Sequence, residues 1–166
     1  ASILFLPNIF KFILYITFIM YWGPSTWLFM HTLAAKLKES SFNIIGPHLI
    51  RILIQICNNL PCPECSQHAK IFWSKVNINN LKNKSDLINI LFVFHNVVNK
   101  KKNYKSFNYE NLKYYETKNV IETYNIFYKN FNTRGNMNLI NESFHRNMMI
   151  ISLKTWMMKN INHFDR

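Results

Sequence analysis

Two cysteines three residues apart, in Leu60-Pro61-Cys62-Pro63-Glu64-Cys65, are the residues best placed here for covalent chemistry. A CxxC at a helix start brings two sulfurs within bonding reach. It also sets the first thiol where the helix dipole and free N–H groups favour the thiolate. Such a pair cycles between dithiol and disulfide by exchange with another thiol, and Cys62, at the helix start, reads as its more exposed member. A c-type haem site would need His at position 66, where Ser66 stands. A zinc site would recruit Cys62, Cys65, His68 and His95, yet structural zinc usually takes two local ligand pairs and the chain has no second CxxC. A thioredoxin-like enzyme would set the motif among alternating strands and helices, and strand patterns are absent.

A second constellation accompanies the cysteines. Trp27 and His31 are four residues apart and share one helix face, while His95 and Asn99 are four apart on another, with Asn96 beside them. Aromatic and imidazole planes facing one another inside a bundle suit a flat cofactor. The Asn side chains can donate and accept hydrogen bonds at its polar edge. The run Lys100 to Lys102 suits a phosphate, and equally suits a solvated helix end near the C-terminal dipole.

Helices must carry these residues. Gly23-Pro24 opens a helix with Trp27, Met30, His31, Ala34 and Leu37 on one side, and Gly46-Pro47 reads as the start of the next, through Leu49, Leu53 and Ile56. A third starts around Pro61 to Pro63 and runs to Lys75. Ser85-Asp86 reads as the cap of a fourth, through Leu87, Leu91, Phe94 and Val98. Four such helices with short links predict an antiparallel bundle. A short fifth helix follows over 108–118, and two further helical patterns divide at 133–136. In these, Tyr124, Phe127, Tyr128 and Phe131 make one aromatic face, and Ile140, Phe144, Met148, Ile151 and Trp156 another apolar face.

The composition fits one helical core. The 166 residues are 49% hydrophobic and 17% charged with 3 Gly and 5 Pro, which excludes a disordered chain and disfavours a many-stranded barrel. A net charge of +12 suits anionic partners, but the heavy use of Asn, Ile and Lys reflects AT-rich codons, so the charge is discounted as a nucleic-acid signal. Three cysteines do not make a disulfide framework, and Cys57 falls at a helical core position as a buried free thiol. Residues 3–22 approach the length that crosses a bilayer, and they read equally as an anchor, a signal-like region or a helix packed on the domain.

Three blocks now stand in order: Ser25-Thr26-Trp27-Leu28-Phe29-Met30-His31-Thr32, Pro61-Cys62-Pro63-Glu64-Cys65 with His68-Ala69, and His95-Asn96-Val97-Val98-Asn99. Together they resemble the signature of the Erv/ALR family of FAD-linked sulfhydryl oxidases, in the compact form carried by large DNA viruses. The resemblance covers about residues 21–115. It implies an all-α fold, a four-helix bundle with a short fifth helix that clasps FAD, and usually a homodimer; a C-terminal helical extension lies beyond it. It also implies that Cys62 exchanges with the substrate thiol while Cys65 lies against the flavin and passes electrons on, ending with O2 and H2O2. Gly23, Trp27, His31, His68, His95, Asn96, Val98 and Asn99 carry over as FAD contacts. Lys102 stands where the family typically has Leu, Lys105 is the substitute for a family Lys, and Phe107 stands in place of a Trp that would stack on adenine. With no shuttle cysteine pair, the substrate must reach Cys62 directly, and a small CxxC redox protein is expected.

The expected organisation is a hydrophobic N-terminal segment over 1–20, an FAD-binding oxidase domain over 21–118 and a helical extension over 119–166. Residues 3–22 leave membrane contact open, and a viral setting would be host cytoplasm or virion. The rival reading is a zinc-stabilised helical module binding nucleic acid, which gives no reason for Trp27/His31 and His95/Asn99.

Overall fold

The computed structural model describes residues 22–131 and 140–166. The N-terminal apolar segment and the turn expected at 133–136 lie outside them. The described residues are helical throughout: α1 over residues 22–36, α2 Phe42–Asn58, α3 Pro63–Ser74, α4 Lys84–Lys101, a one-turn α5 Lys113–Glu116, α6 Val120–Phe131 and α7 Ile140–Asn160. The expected fifth helix is split, a 3-10 turn at Tyr109–Leu112 running into α5.

The expected start of α2 at Gly46-Pro47 is corrected, because the helix begins at Phe42 and takes both residues inside. Pro47 has no N–H to give to the Asn43 carbonyl, so the second turn of α2 lacks one backbone bond. Gly46 answers a packing need rather than a turn: a Cβ at this position would stand 2.8 Å from Cδ2 of Phe42, whose buried ring lies over it. The cap of α4 is likewise not Ser85-Asp86 but Asn83. Its Oδ1 accepts from the Asp86 N–H at 2.9 Å, while Asp86 Oδ2 accepts from the Lys82 N–H at 2.8 Å.

One hydrophobic core runs through α1 to α4, α6 and α7. Phe29, Leu33 and Leu37 of α1, Leu49, Leu53 and Ile56 of α2, and Leu87 and Leu91 of α4 are fully buried. α6 joins them through Phe127, stacked on Phe29 at 4.9 Å, and through Phe131. α7 lies along α2, burying Met149, Ile150, Leu153, Trp156 and Met157, and the Trp156 indole N–H donates to Nδ1 of His48 at 3.2 Å. Part of the apolar face read from sequence on this helix is the outer one: Phe144, Met148 and Ile151 are more than half exposed, whereas Trp156 turns inward. α7 has apolar residues on two sides, so periodicity alone does not say which side is covered.

The chain then returns to α1. The Lys38 N–H donates to the His163 carbonyl, the Asp165 N–H donates to the Lys36 carbonyl at 2.7 Å, and Leu37 and Phe164 form an isolated antiparallel bridge. The Lys36 ammonium donates to the carbonyls of Glu116 and Arg166, tying α5 to this strap.

Candidate active site

α2 ends at Asn58, and four residues later the chain enters α3. Cys62 is the N-cap of α3 in extended conformation, and Pro63 occupies the first turn, where its missing N–H removes no helical bond. The Cys62 Sγ accepts from the Cys65 N–H at 3.2 Å, so the helix start holds this sulfur by its own backbone. Cys62 and Cys65 are joined as a disulfide with Cα atoms 5.2 Å apart, an ordinary separation for such a bond. The expectation that Cys62 is the more exposed of the two is corrected. Cys62 is 5% exposed while Cys65 is half-buried. The capping sulfur folds back over the first turn, and Arg146 of α7 lies against the carbonyls of Asn59 and Leu60 just before it.

Cys65 instead opens onto a cleft of about 1470 Å³ between α1, α3 and α4. Gly23 and Trp27 line it from α1, His68 and Phe72 from α3, and His95, Val98 and Asn99 from α4, with Tyr115 of α5. Lys75, Lys101 and Lys102 supply cations to its lining. Burial holds the Lys102 ammonium below its ordinary range, with the Glu64 carboxylate pulling the other way. Cys57 reaches the same cleft wall but stays buried, its thiol pushed up to about 12 by burial and 3.9 Å from the Met30 sulfur.

Behind the cleft stands a stack of rings. The indole of Trp27 lies on the His95 imidazole at 4.0 Å and 6°, Phe107 stacks on the same imidazole at 4.5 Å and 18°, and Tyr115 stacks on His31 at 4.6 Å. His31 and His95 share a hydrogen bond, Nε2 to Nδ1, at 3.0 Å. Burial lowers His95 to about 4; burial, together with the charge His95 would carry, lowers His31 to about 3. Both rings are therefore neutral near pH 7, each donating or accepting one proton.

The segment that brings Phe107 into this stack is set by the end of α4. Asn103 takes a left-handed φ of 55°, and the N–H groups of Tyr104 and Asn103 close back onto the carbonyls of Asn99 and Lys100. This is a Schellman ending with Asn where Gly is commonest. It turns residues 105–107 back along α4, where Asn96 pairs with the Phe107 backbone in both directions, at 2.7 and 3.1 Å, and Asn99 Nδ2 donates to the Lys105 carbonyl.

The expected FAD-contact residues thus divide. Gly23, Trp27, His68, His95, Val98, Asn99 and Lys102 line the cleft with Cys65, whereas His31, Asn96, Lys105 and Phe107 do not. His31 is buried beneath the rings, the Asn96 amide is taken up by Phe107, and Lys105 is exposed on the returning segment. Phe107 spends its ring on the two imidazoles. Among lining residues not singled out from sequence, Phe72 and Lys75 follow Cys65 and His68 at three- and four-residue steps along α3, a helical signal that could have found them. Tyr104 and Tyr115 enter only through the turn after α4, which no periodicity announces. Among the described residues, no three His, Cys, Asp or Glu side chains converge to hold a metal ion, so the zinc alternative has no ligand set here.

A flat aromatic wall beside a disulfide, with lysines in the same lining, is a donor set that fits a planar redox cofactor bearing phosphates. The model of the Erv1 / Alr family matches residues 24–129. This chain belongs to the Erv1/Alr family. The Erv1/Alr match takes in α1 to α5 and continues through most of α6, past the boundary at residue 118 expected from sequence. A protein of African swine fever virus named FAD-linked sulfhydryl oxidase is 28% identical over 104 residues, covering 63% of this chain and 87% of that protein. A fowlpox virus protein named probable FAD-linked sulfhydryl oxidase is 32% identical over 79 residues, covering 48% of this chain and 76% of its own length. The resemblance to forms carried by large DNA viruses therefore holds among these Erv1/Alr relatives. No solved structure matches the chain.

Proposed function

We propose that this chain is a FAD-linked sulfhydryl oxidase that forms disulfides in protein substrates. The observation that carries the reading is a CxxC disulfide whose second cysteine opens onto an aromatic cleft with a cationic lining. A substrate thiolate attacks the Cys62 sulfur, the Cys62–Cys65 bond breaks and Cys65 leaves as a thiolate. The second substrate thiol then attacks the mixed disulfide at the substrate's sulfur. The oxidised substrate departs and Cys62 is released, so two electrons have passed to the cysteine pair. Bound FAD supplies the electron sink next to Cys65 and the route onward to O2, which becomes H2O2.

The chain's own residues hold, orient and shield. Trp27, with one face fixed by His95, gives a rigid flat wall for the cofactor, and Tyr115 and Phe72 extend it. Gly23, His68, Val98 and Asn99 line the space beside Cys65. Lys75, Lys101 and Lys102 are the lining cations that would hold the phosphates, and an anion there would offset the burial of Lys102. His31, Asn96 and Phe107 act as supports behind the wall, and the exposed Lys105 is left to reach the adenosine end from the returning segment. Cys57, buried and protonated, takes no part.

We take residues 21–118 as the oxidase part and 119–166 as a helical extension sharing its core, in a homodimer whose substrate is a small CxxC redox protein. The purified protein is expected to be yellow, with flavin absorbance, and to release peroxide when a dithiol is added. A colourless chain that takes up no flavin after refolding with FAD overturns the reading.

A further inference from the structure

Arg146 lies on α7, beyond the region that the family model matches, and is 3% exposed. Its Nη1 donates to the carbonyls of Asn59 and Leu60, both at 3.4 Å, and the Ser66 hydroxyl donates to the Leu60 carbonyl from the opposite side of the loop. These carbonyls lie at the C-terminal end of α2, the negative end of its dipole. Two residues after Leu60, the Cys62 sulfur caps the positive end of α3. The redox sulfur therefore sits between two helix ends of opposite sign. Pro61 and Pro63 bring no N–H to this stretch, so the guanidinium is a cation supplied to the α2 end from a distant part of the chain.

Among the described residues, the other charged or titratable groups around the loop do not supply that cation. Glu64 and His68 belong to α3, 3.9 Å apart, with the Glu64 carboxylate largely exposed. Lys102 stands across the cleft from α4 and feels Glu64. On α2 the nearest titratable group is Cys57, neutral and buried.

We propose that Arg146 is a positioning residue for the redox pair: it neutralises the carbonyl end of α2 and fixes the α2–α3 loop, so that Cys62 leaves the mixed disulfide as a thiolate. The proposal rests on the oxidase reading for its purpose, but its test reads the thiol alone, without flavin or turnover. In the full chain carrying Cys57→Ala and Cys65→Ser, Cys62 is the single thiol. Its alkylation by iodoacetamide is followed by mass against pH.

With Arg146→Gln or Arg146→Met, the pH midpoint of alkylation is expected to rise by about half a unit or more. Arg146→Lys, which keeps the charge, is expected to hold it. A change in plateau rate reports only altered access to the buried sulfur, whereas the midpoint reports its electrostatics. A folded neutral variant, judged by helical circular dichroism, with an unmoved midpoint overturns the proposal. So does a lysine variant whose midpoint rises as far as that of the neutral ones. Failure of the oxidase reading would show instead as absent flavin and peroxide, with this midpoint still responding to Arg146.

Discussion

His31 and His95 share one hydrogen bond, Nε2 to Nδ1 at 3.0 Å, in the middle of a ring stack closed by Trp27, Phe107 and Tyr115. A pair joined this way carries a single shared proton on the bond. Protonating one ring buries a cation, and protonating both places like charges side by side under aromatic cover.

That arrangement sets a pH dependence. Burial holds His31 at about 3 and His95 at about 4 in the fold, against about 6.5 for a free imidazole. Below 6.5 the unfolded chain binds protons that the native chain refuses, so stability falls as pH drops from about 6.5 toward 4 and is flat above that window. The two protonations are coupled and appear as macroscopic steps. Thermal melts between pH 4 and 8 are expected to show this fall, and His31→Asn is expected to reduce it, leaving the part that buried His95 contributes. A melting temperature independent of pH across the window would refute the assignment of these two rings as the groups that resist charging.

Replacing either redox cysteine separates chemistry from binding. Cys62→Ser and Cys65→Ser are each expected to abolish dithiol-dependent oxygen uptake while leaving flavin absorbance intact. Oxidase turnover surviving in both would sink the assigned pair.

The two layers of the ring stack are expected to respond differently. Trp27→Ala removes the wall of the cleft itself, and the protein is expected to lose flavin on gel filtration. Phe107→Ala removes a ring behind the wall and is expected to cost about 2 kcal/mol of folding stability, with a smaller loss of flavin affinity. Urea titration and flavin fluorescence distinguish the two. Equal flavin loss in both variants would show that the supporting layer binds the cofactor directly.

Gly46→Ala tests close packing against helix propensity. The added methyl would meet the buried Phe42 ring at 2.8 to 3.0 Å. Overpacking of this kind costs about 1–3 kcal/mol, offset by about 1 kcal/mol of better helix propensity. The expected net is a loss of stability in urea denaturation, relieved by adding Phe42→Leu. A gain in stability from the single substitution would show that the ring moves freely.

The parts of this molecule governed by local rules were readable from its residues. Helical spacing put Trp27 with His31 and His95 with Asn99, and CxxC with flanking prolines placed the start of α3. What could not be read depends on which surfaces meet. Gly46-Pro47 has the composition of a boundary, yet Phe42 needs the missing Cβ and the helix runs through it. Asn96 has the chemistry of a ligand contact, but a left-handed turn at Asn103 returns Phe107 to occupy its amide. Cys62 has the position of an exposed thiol, and Arg146, far along the chain, closes over the loop before it.

The strap between α1 and the chain's last residues joins groups 130 positions apart, Lys36 with Arg166, beside the Leu37–Phe164 bridge. Contacts so distant in sequence form late, because a long loop must close before they are rewarded. On the ribosome, α1 to α4 emerge with their partner α7 still unmade. The face of α2 that α7 later covers is exposed during that interval. Synthesis of this oxidase therefore passes through a stage in which an apolar side of α2 stands open, and the making of α7 and the strap ends it.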